Sequence, residues 1–143
     1  MRVRDVMSRN VECIGPEQTI REAARKMKDL DVGPLPVCGE GDRLVGMITD
    51  RDITVRATAE GRDPSTTSVR EVMSEGVHYC FEDDDVEAAA RRMQDEQIRR
   101  LVVLDEDKRL VGIVALGDLA TEGDDTRRTG EVLERVSEPA TRR

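Results

Sequence analysis

The sequence predicts an α+β protein made of two β-α-β-β-α repeats packed with pseudo-twofold symmetry. Three observations lead there. The chain has 143 residues, which suits one ordinary domain or two small ones that share a core. Slid by 66 residues it matches itself without a gap, with 19 of the 51 positions from Val3 to Ile53 identical to their counterparts. Within each copy the apolar spacing alternates between strand and helix periods in the same order. Each copy alone is too small for a good core, so two like units are expected to pack together.

Each copy opens with a short amphipathic turn, Val3 to Met7 or Val69 to Met73, and then a short apolar strand, Val11 to Ile14 or Val77 to Phe81. A helix follows. Thr19 and Glu22 have capping-box spacing, and Ile20, Ala23, Ala24 and Met27 fall on one face. Val86, Ala89, Ala90 and Met93 repeat that stripe, preceded by Asp83, Asp84 and Asp85, where the helix dipole favours negative charge. These methionines read as core, and the aspartates as a solvated helix start rather than a Mg²⁺ site. Two strands joined by a polar turn come next, Leu35 to Cys38 with Leu44 to Thr49, and Arg100 to Leu104 with Leu110 to Ala115. A last helix starts near Asp50 or Leu116. The first of these is expected to run to about Glu60, with Gly61 as its stop and Pro64 blocking continuation. The division is then a first repeat at 1–62, a linker at 63–68, a second repeat at 69–121 and a charged tail at 122–143. The tail is expected to be loosely held, with a short helix around Val132, Leu133 and Val136.

Composition narrows the function. The formal net charge is −8, with 38% charged residues, one Phe, one Tyr and no Trp. The core is therefore aliphatic. The acidic balance argues against nucleic-acid or anionic-membrane partners, which need a basic face. Neither a membrane span nor a signal peptide is expected, which suits a cytoplasmic protein. Cys13, Cys38 and Cys80 show no CxxC spacing, and His78 is the one histidine, so metal catalysis by Cys/His ligation is not expected. His78 reads as a partly exposed strand residue and Cys80 as core. Buried, reduced thiols are the default for Cys13 and Cys38, which a helix crossover can bring together as sheet neighbours. The alternative is a redox-sensitive disulfide. No paired nucleophile and base and no phosphate-cradling glycine loop is present, so no enzyme is expected.

Gly46-Met47-Ile48-Thr49-Asp50-Arg51-Asp52-Ile53 and Gly112-Ile113-Val114-Ala115-Leu116-Gly117-Asp118-Leu119 resemble the closing signature of cystathionine β-synthase (CBS) domains. The leading Val3-Arg4-Asp5-Val6-Met7-Ser8 and the middle strand from Ile98 to Glu106 resemble the same family. The first copy's Val32-Gly33-Pro34-Leu35-Pro36-Val37 occupies the place of that strand. The resemblance covers residues 1 to about 121 and is that of a small stand-alone CBS pair. It implies a regulatory sensor whose two clefts take AMP, ADP, ATP or S-adenosylmethionine. It also implies a homodimer and an unidentified protein partner. In the family's Ser/Thr-x-x-Asp signature the carboxylate takes the ribose hydroxyls, and basic residues on the middle strands meet the phosphates.

Carried over residue by residue, the ligand contacts are Thr49, Asp52 and Asp118, with at most one of Arg99 and Arg100 entering a given cleft; Arg51, at the helix start, is a further candidate for a phosphate. The local chemistry agrees in part: a carboxylate accepts from two vicinal hydroxyls, and a phosphate suits helix N-terminal N–H groups. Asp52 and Asp118 also suit a helix start with no ligand. Two departures stand out: Ala115 replaces Thr49, and Gly33 and Pro34 replace Arg99 and Arg100. On a strand, Arg99 and Arg100 point to opposite faces. The competing reading is a protein-interaction module with vestigial clefts.

Overall fold

Thr19 begins the longest helix of the first repeat for a local reason visible in the computed structural model, which describes residues 1–122. Its Oγ1 accepts from the Glu22 N–H at 3.2 Å, and Glu22 Oε1 accepts from the Thr19 N–H at 3.0 Å, the predicted capping box. The helices are α1 (Val3–Val6), α2 (Ile20–Leu30), α3 (Asp50–Ile53), α4 (Val69–Val72), α5 (Val86–Glu96) and α6 (Leu116–Glu122). The strands are β1 (Pro34–Cys38), β2 (Leu44–Thr49), β3 (Tyr79–Phe81), β4 (Arg100–Leu104) and β5 (Leu110–Ala115). This is the α+β fold that the repeats predict. The expected tail helix around Val132 lies outside the described residues.

The described residues gather into two compact units, one of Met1–Val11 with 78–122, the other of Glu12–Val77. The cause is the leading segments. Val3 and Arg4 donate to the carbonyls of Asp84 and Glu82, and Ser8 exchanges N–H···O bonds of 2.8 and 2.9 Å with Ile113. In the other unit Val69 and Arg70 donate to Gln18 and Pro16, and Ser74 exchanges two 2.8 Å bonds with Met47. Each leading segment thus serves the strands of the other sequence repeat. Compact units and sequence repeats divide the chain at different places.

Each unit has its own apolar core. Ile14, Ile20, Ala23, Met27, Leu35, Val37, Ile48, Ala57, Val69 and Val72 form one. Val3, Val6, Ala89, Ala90, Met93, Leu101, Val103, Val114 and Leu119 form part of the other. Of the predicted helix stripes, Ala24 is exposed, whereas Ile20, Ala23 and Met27 and Ala89, Ala90 and Met93 are in these cores and Val86 packs against the second. Cys80 is also buried there, and its burial pushes the thiol up to about 12. His78 is partly exposed just ahead of β3, its Nε2 3.6 Å from Glu96. Arg4 and Arg2 pair with Asp83 and Asp85 at 2.7 and 3.4 Å, so the aspartate run meets arginines.

β1 and β2 pair antiparallel, as do β4 and β5, with the same bulge one residue before the end of β1 and β4. β3 pairs with β4 in parallel. The strand expected at Val11 to Ile14 reduces to a single parallel bridge, Ile14 with Val37. Ile14 donates to the Pro36 carbonyl at 3.0 Å, and Cys38 donates to the Ile14 carbonyl at 3.0 Å. The next rung toward Glu12 would be donated by residue 36, and proline has no N–H. Val102 holds that position in the second repeat, where three residues pair. That strand starts at Tyr79 rather than Val77. The helix expected from Asp50 to Glu60 is also corrected: α3 ends at Ile53 and Thr54–Thr58 form a π turn. The wide turn leaves Ala57 fully buried and sends the Arg56 guanidinium to the carbonyls of Val72 and Met73, at 3.3 and 3.1 Å. Gly61, at φ 74°, follows.

Candidate functional site

The candidate site of the first repeat is the corner where β2 becomes α3. Thr49 keeps extended backbone, with φ −121° and ψ 163°, and caps the helix. Its Oγ1 accepts from the Asp52 N–H at 3.0 Å, and Asp52 Oδ2 accepts from the Thr49 N–H at 3.0 Å. Strand geometry places Thr49 directly opposite Pro34, and the Asp50 N–H donates to the Gly33 carbonyl at 3.1 Å. Hydroxyl and carboxylate are therefore held by backbone on both sides of the corner, and both residues are half-buried. Arg51 is exposed at the first turn, its N–H donating to Asp50 Oδ1 at 2.9 Å.

The second repeat repeats the corner with one part missing. The Ala115 N–H donates to Asp118 Oδ2 at 2.8 Å. Ala115 offers no oxygen in return. The Leu116 N–H donates to the Arg99 carbonyl at 2.9 Å, and Arg100 lies opposite Ala115. Both arginines are exposed, whereas Asp118 is half-buried. Arg99 stands just outside β4 and Arg100 is its first residue.

The six sequence-derived residues thus fall into two groups of neighbours, Thr49, Arg51 and Asp52 on one unit and Arg99, Arg100 and Asp118 on the other. The charge differs between the corners. A Cβ built on Gly33 would lie 3.3 Å from Asp50 Oδ1, so the Asp50 carboxylate covers the space a side chain would take. The sequence reading treated Asp50 only as a helix start. The signal was the pairing of Gly33 with Asp50 in one repeat against Arg99 with Leu116 in the other. The first corner carries Asp50 and Asp52 beside Arg51, the second Arg99 and Arg100 beside Asp118.

Chemically, each aspartate does one thing with no ligand: it accepts the N–H of the capping residue. In Asp52 that bond uses one carboxylate oxygen. The other has no hydrogen bond among the described residues and remains an acceptor. No group of three or more His, Cys, Asp or Glu side chains among the described residues is placed to hold a metal ion. No helix among them is long and apolar enough to cross a membrane.

Comparison with known proteins agrees with this architecture. A family model described as CBS domain matches residues 3–57 and 69–124. Hypoxic response protein 1 of Mycobacterium tuberculosis is 40% identical over 117 residues, covering 82% of this chain and 81% of that protein. CBS domain-containing protein YhcV of Bacillus subtilis is 45% identical over 135 residues, 94% of each chain. A crystal structure of Hypoxic Response Protein I with two coordinated zinc ions superposes with a TM-score of 0.75 at 38% identity, covering 85% of this chain and 98% of that one. CBSX2 in complex with AMP shares the fold, with a TM-score of 0.73 at 23% identity, covering 88% of this chain and 98% of that one. With two matched copies, each ending in a strand-to-helix corner of the same construction, the chain belongs to the CBS domain family.

Proposed function

We propose that this chain is a non-enzymatic regulatory module that binds an adenosine-containing ligand, namely AMP, ADP, ATP or S-adenosylmethionine. Asp52 takes the ribose hydroxyls, Thr49 lies beside the ribose or phosphate, and Arg51 meets phosphate. On the second repeat Asp118 is the ribose contact, with one of Arg99 and Arg100, which face opposite ways, as the phosphate contact. One observation carries the reading: Asp52 is fixed by the Thr49 N–H through one oxygen and keeps the other as an acceptor. A carboxylate already oriented loses little freedom when it accepts from two vicinal hydroxyls. The AMP held by CBSX2 is a precedent at the level of the fold. The second corner, without a hydroxyl at Ala115, is the weaker of the two. Regulation requires that the ligand prefer one of two states of the protein. A second copy of the chain is the proposed first partner, supported by Val55, which is 46% exposed.

A second reading has its own observation. The capping bonds account for Asp52 and Asp118 without any ligand, as in an interaction module with vestigial sites that serves a protein partner. A thermal-shift series with AMP, ADP, ATP and S-adenosylmethionine separates the two. A ligand at one hundred times its Kd stabilises the folded state by about 2.7 kcal/mol. The expected result is a raised midpoint with at least one ligand in the wild type, lost in Asp52→Asn and kept in Asp118→Asn. Asn retains an oxygen for the Thr49 N–H, so the helix start survives. A shift that survives Asp52→Asn moves the ligand to the Asp118 corner. No shift with any ligand overturns the sensor reading.

A further inference from the structure

We propose that Cys13 and Cys38 form a reversible disulfide that fastens the segment around Ile14 to β1, making this unit responsive to the surrounding thiol–disulfide balance. The inference does not rest on nucleotide binding. The Cys38 N–H donates to the carbonyl of Ile14 at 3.0 Å, so Cys13 is the chain neighbour of the residue that Cys38 holds. Cys13 and Cys38 flank the bridge between Ile14 and Val37, and both are unbonded cysteines in this structure. The Lys26 ammonium, donating to the Cys13 carbonyl at 3.1 Å and 3.4 Å from Glu12, holds the backbone on the other side.

The place of the pair in the sheet gives it a purpose. Because Pro36 offers no N–H, the segment before Gly15 is tied to β1 by one bridge. In the second repeat, Tyr79 and Leu104 stand where Cys13 and Cys38 stand, and there a three-residue strand is paired. A covalent link would add the tie that the proline removes.

Exposure assigns the order of events. Cys13 is half-buried, whereas Cys38 is 6% exposed. The oxidant is a small-molecule disulfide of the glutathione type. The Cys13 thiolate attacks one of its sulfurs, giving a mixed disulfide and one small thiolate. The Cys38 sulfur then attacks the Cys13 sulfur and releases the second small thiolate. The protons left by the two cysteines end on the two small thiols. In sum, two protein thiols are oxidised and one small disulfide is reduced. Burial pushes the Cys38 thiol up, and the charge and hydrogen bond of Cys13 push it the same way. Those two Cys13 contributions fall away once Cys13 is in the mixed disulfide, when Cys38 must lose its proton.

The test equilibrates the reduced whole chain with mixtures of reduced and oxidised glutathione, followed by acid quench, thiol counting, intact mass and peptide mapping. The expected result is loss of two of the three thiols, a mass lower by about 2 Da, and a Cys13–Cys38 link reversed by dithiothreitol. The oxidised form should also melt several degrees higher, because the link closes a loop in the unfolded chain. In Cys38→Ser the reaction should stop at a glutathione adduct on Cys13. Three persistent thiols, a lasting adduct on Cys13 in the wild type, a link to Cys80 or a link between chains would each overturn the proposal.

Discussion

Gly46 and Gly112 hold their places because no side chain fits there. A Cβ on Gly46 would lie 2.8 Å from the Ser74 carbonyl oxygen, and one on Gly112 would lie 2.7 Å from that of Ser8. Backbone on the facing segment cannot withdraw without breaking its bonds to Met47 or Ile113. Gly46→Ala and Gly112→Ala are each expected to destabilise the protein by about 1–3 kcal/mol, as overpacking does. Gly76→Ala, whose Cβ meets nothing within 4 Å, should stay within about 0.5 kcal/mol of the wild type. Urea denaturation of the three variants checks this; equal stabilities would show that the close approach does not matter. The glycines were legible in the sequence as a repeated motif. Their reason was not, because the atom each must avoid lies on a segment distant in the chain. Asp50 was missed on the same ground. Its relation to Gly33 exists only across the pairing of β1 with β2.

At the scale of the element, the helix starts were the most legible feature. A capping box is a bond between residues three apart, so spacing alone predicts it. Thr19 with Glu22 obeyed, and Ser68 with Glu71 makes the same box, Glu71 Oε2 accepting from the Ser68 N–H at 2.8 Å. These bonds have a pH signature. The Thr19 N–H holds the Glu22 carboxyl below its ordinary 4.5, and the Ser68 N–H does the same for Glu71. A carboxyl lowered in the folded state adds stability above its unfolded value, and that stability is lost as pH falls through the folded value. Melting curves from about pH 6 to about pH 3 should therefore fall less steeply in the Glu22→Gln, Glu71→Gln double variant than in the wild type. Parallel curves would count against the boxes as pH-dependent supports. The strand at Val11 to Ile14 and the long helix after Asp50 were misread for a different reason. A strand needs donors on its neighbour, and Pro36 withholds one. The helix after Ile53 widens into a π turn that carries Ala57 into the core and Arg56 to the carbonyls ending α4. Both outcomes depend on a neighbour rather than on the segment itself.

At the scale of the molecule, the stability of one repeat depends on residues numbered in the other. Val3 is fully buried in the core that holds Leu101 and Val114, and Val69 in the core that holds Leu35 and Ile48. Removing two buried methyl groups costs about 2 kcal/mol from lost burial and the remaining cavity. Val3→Ala should speed hydrogen exchange first in β4 and β5, and Val69→Ala first in β1 and β2. If each variant instead loosened the strands nearest in sequence, the exchange of leading segments would be refuted.

By itself the sequence determined the duplication, the order of elements, the helix caps, the aliphatic cores and the two corners with their unequal Thr49 and Ala115. All of these rest on residues close in the chain or on the chain's likeness to itself. Only the tertiary structure decided which repeat each leading segment completes, why the first parallel strand stops at one bridge, and that Asp50 sits over Gly33. A repeat offset is the same whether a segment docks on its own copy or on the other. The choice is made by hydrogen bonds and apolar contacts between residues far apart in sequence, which no local pattern records.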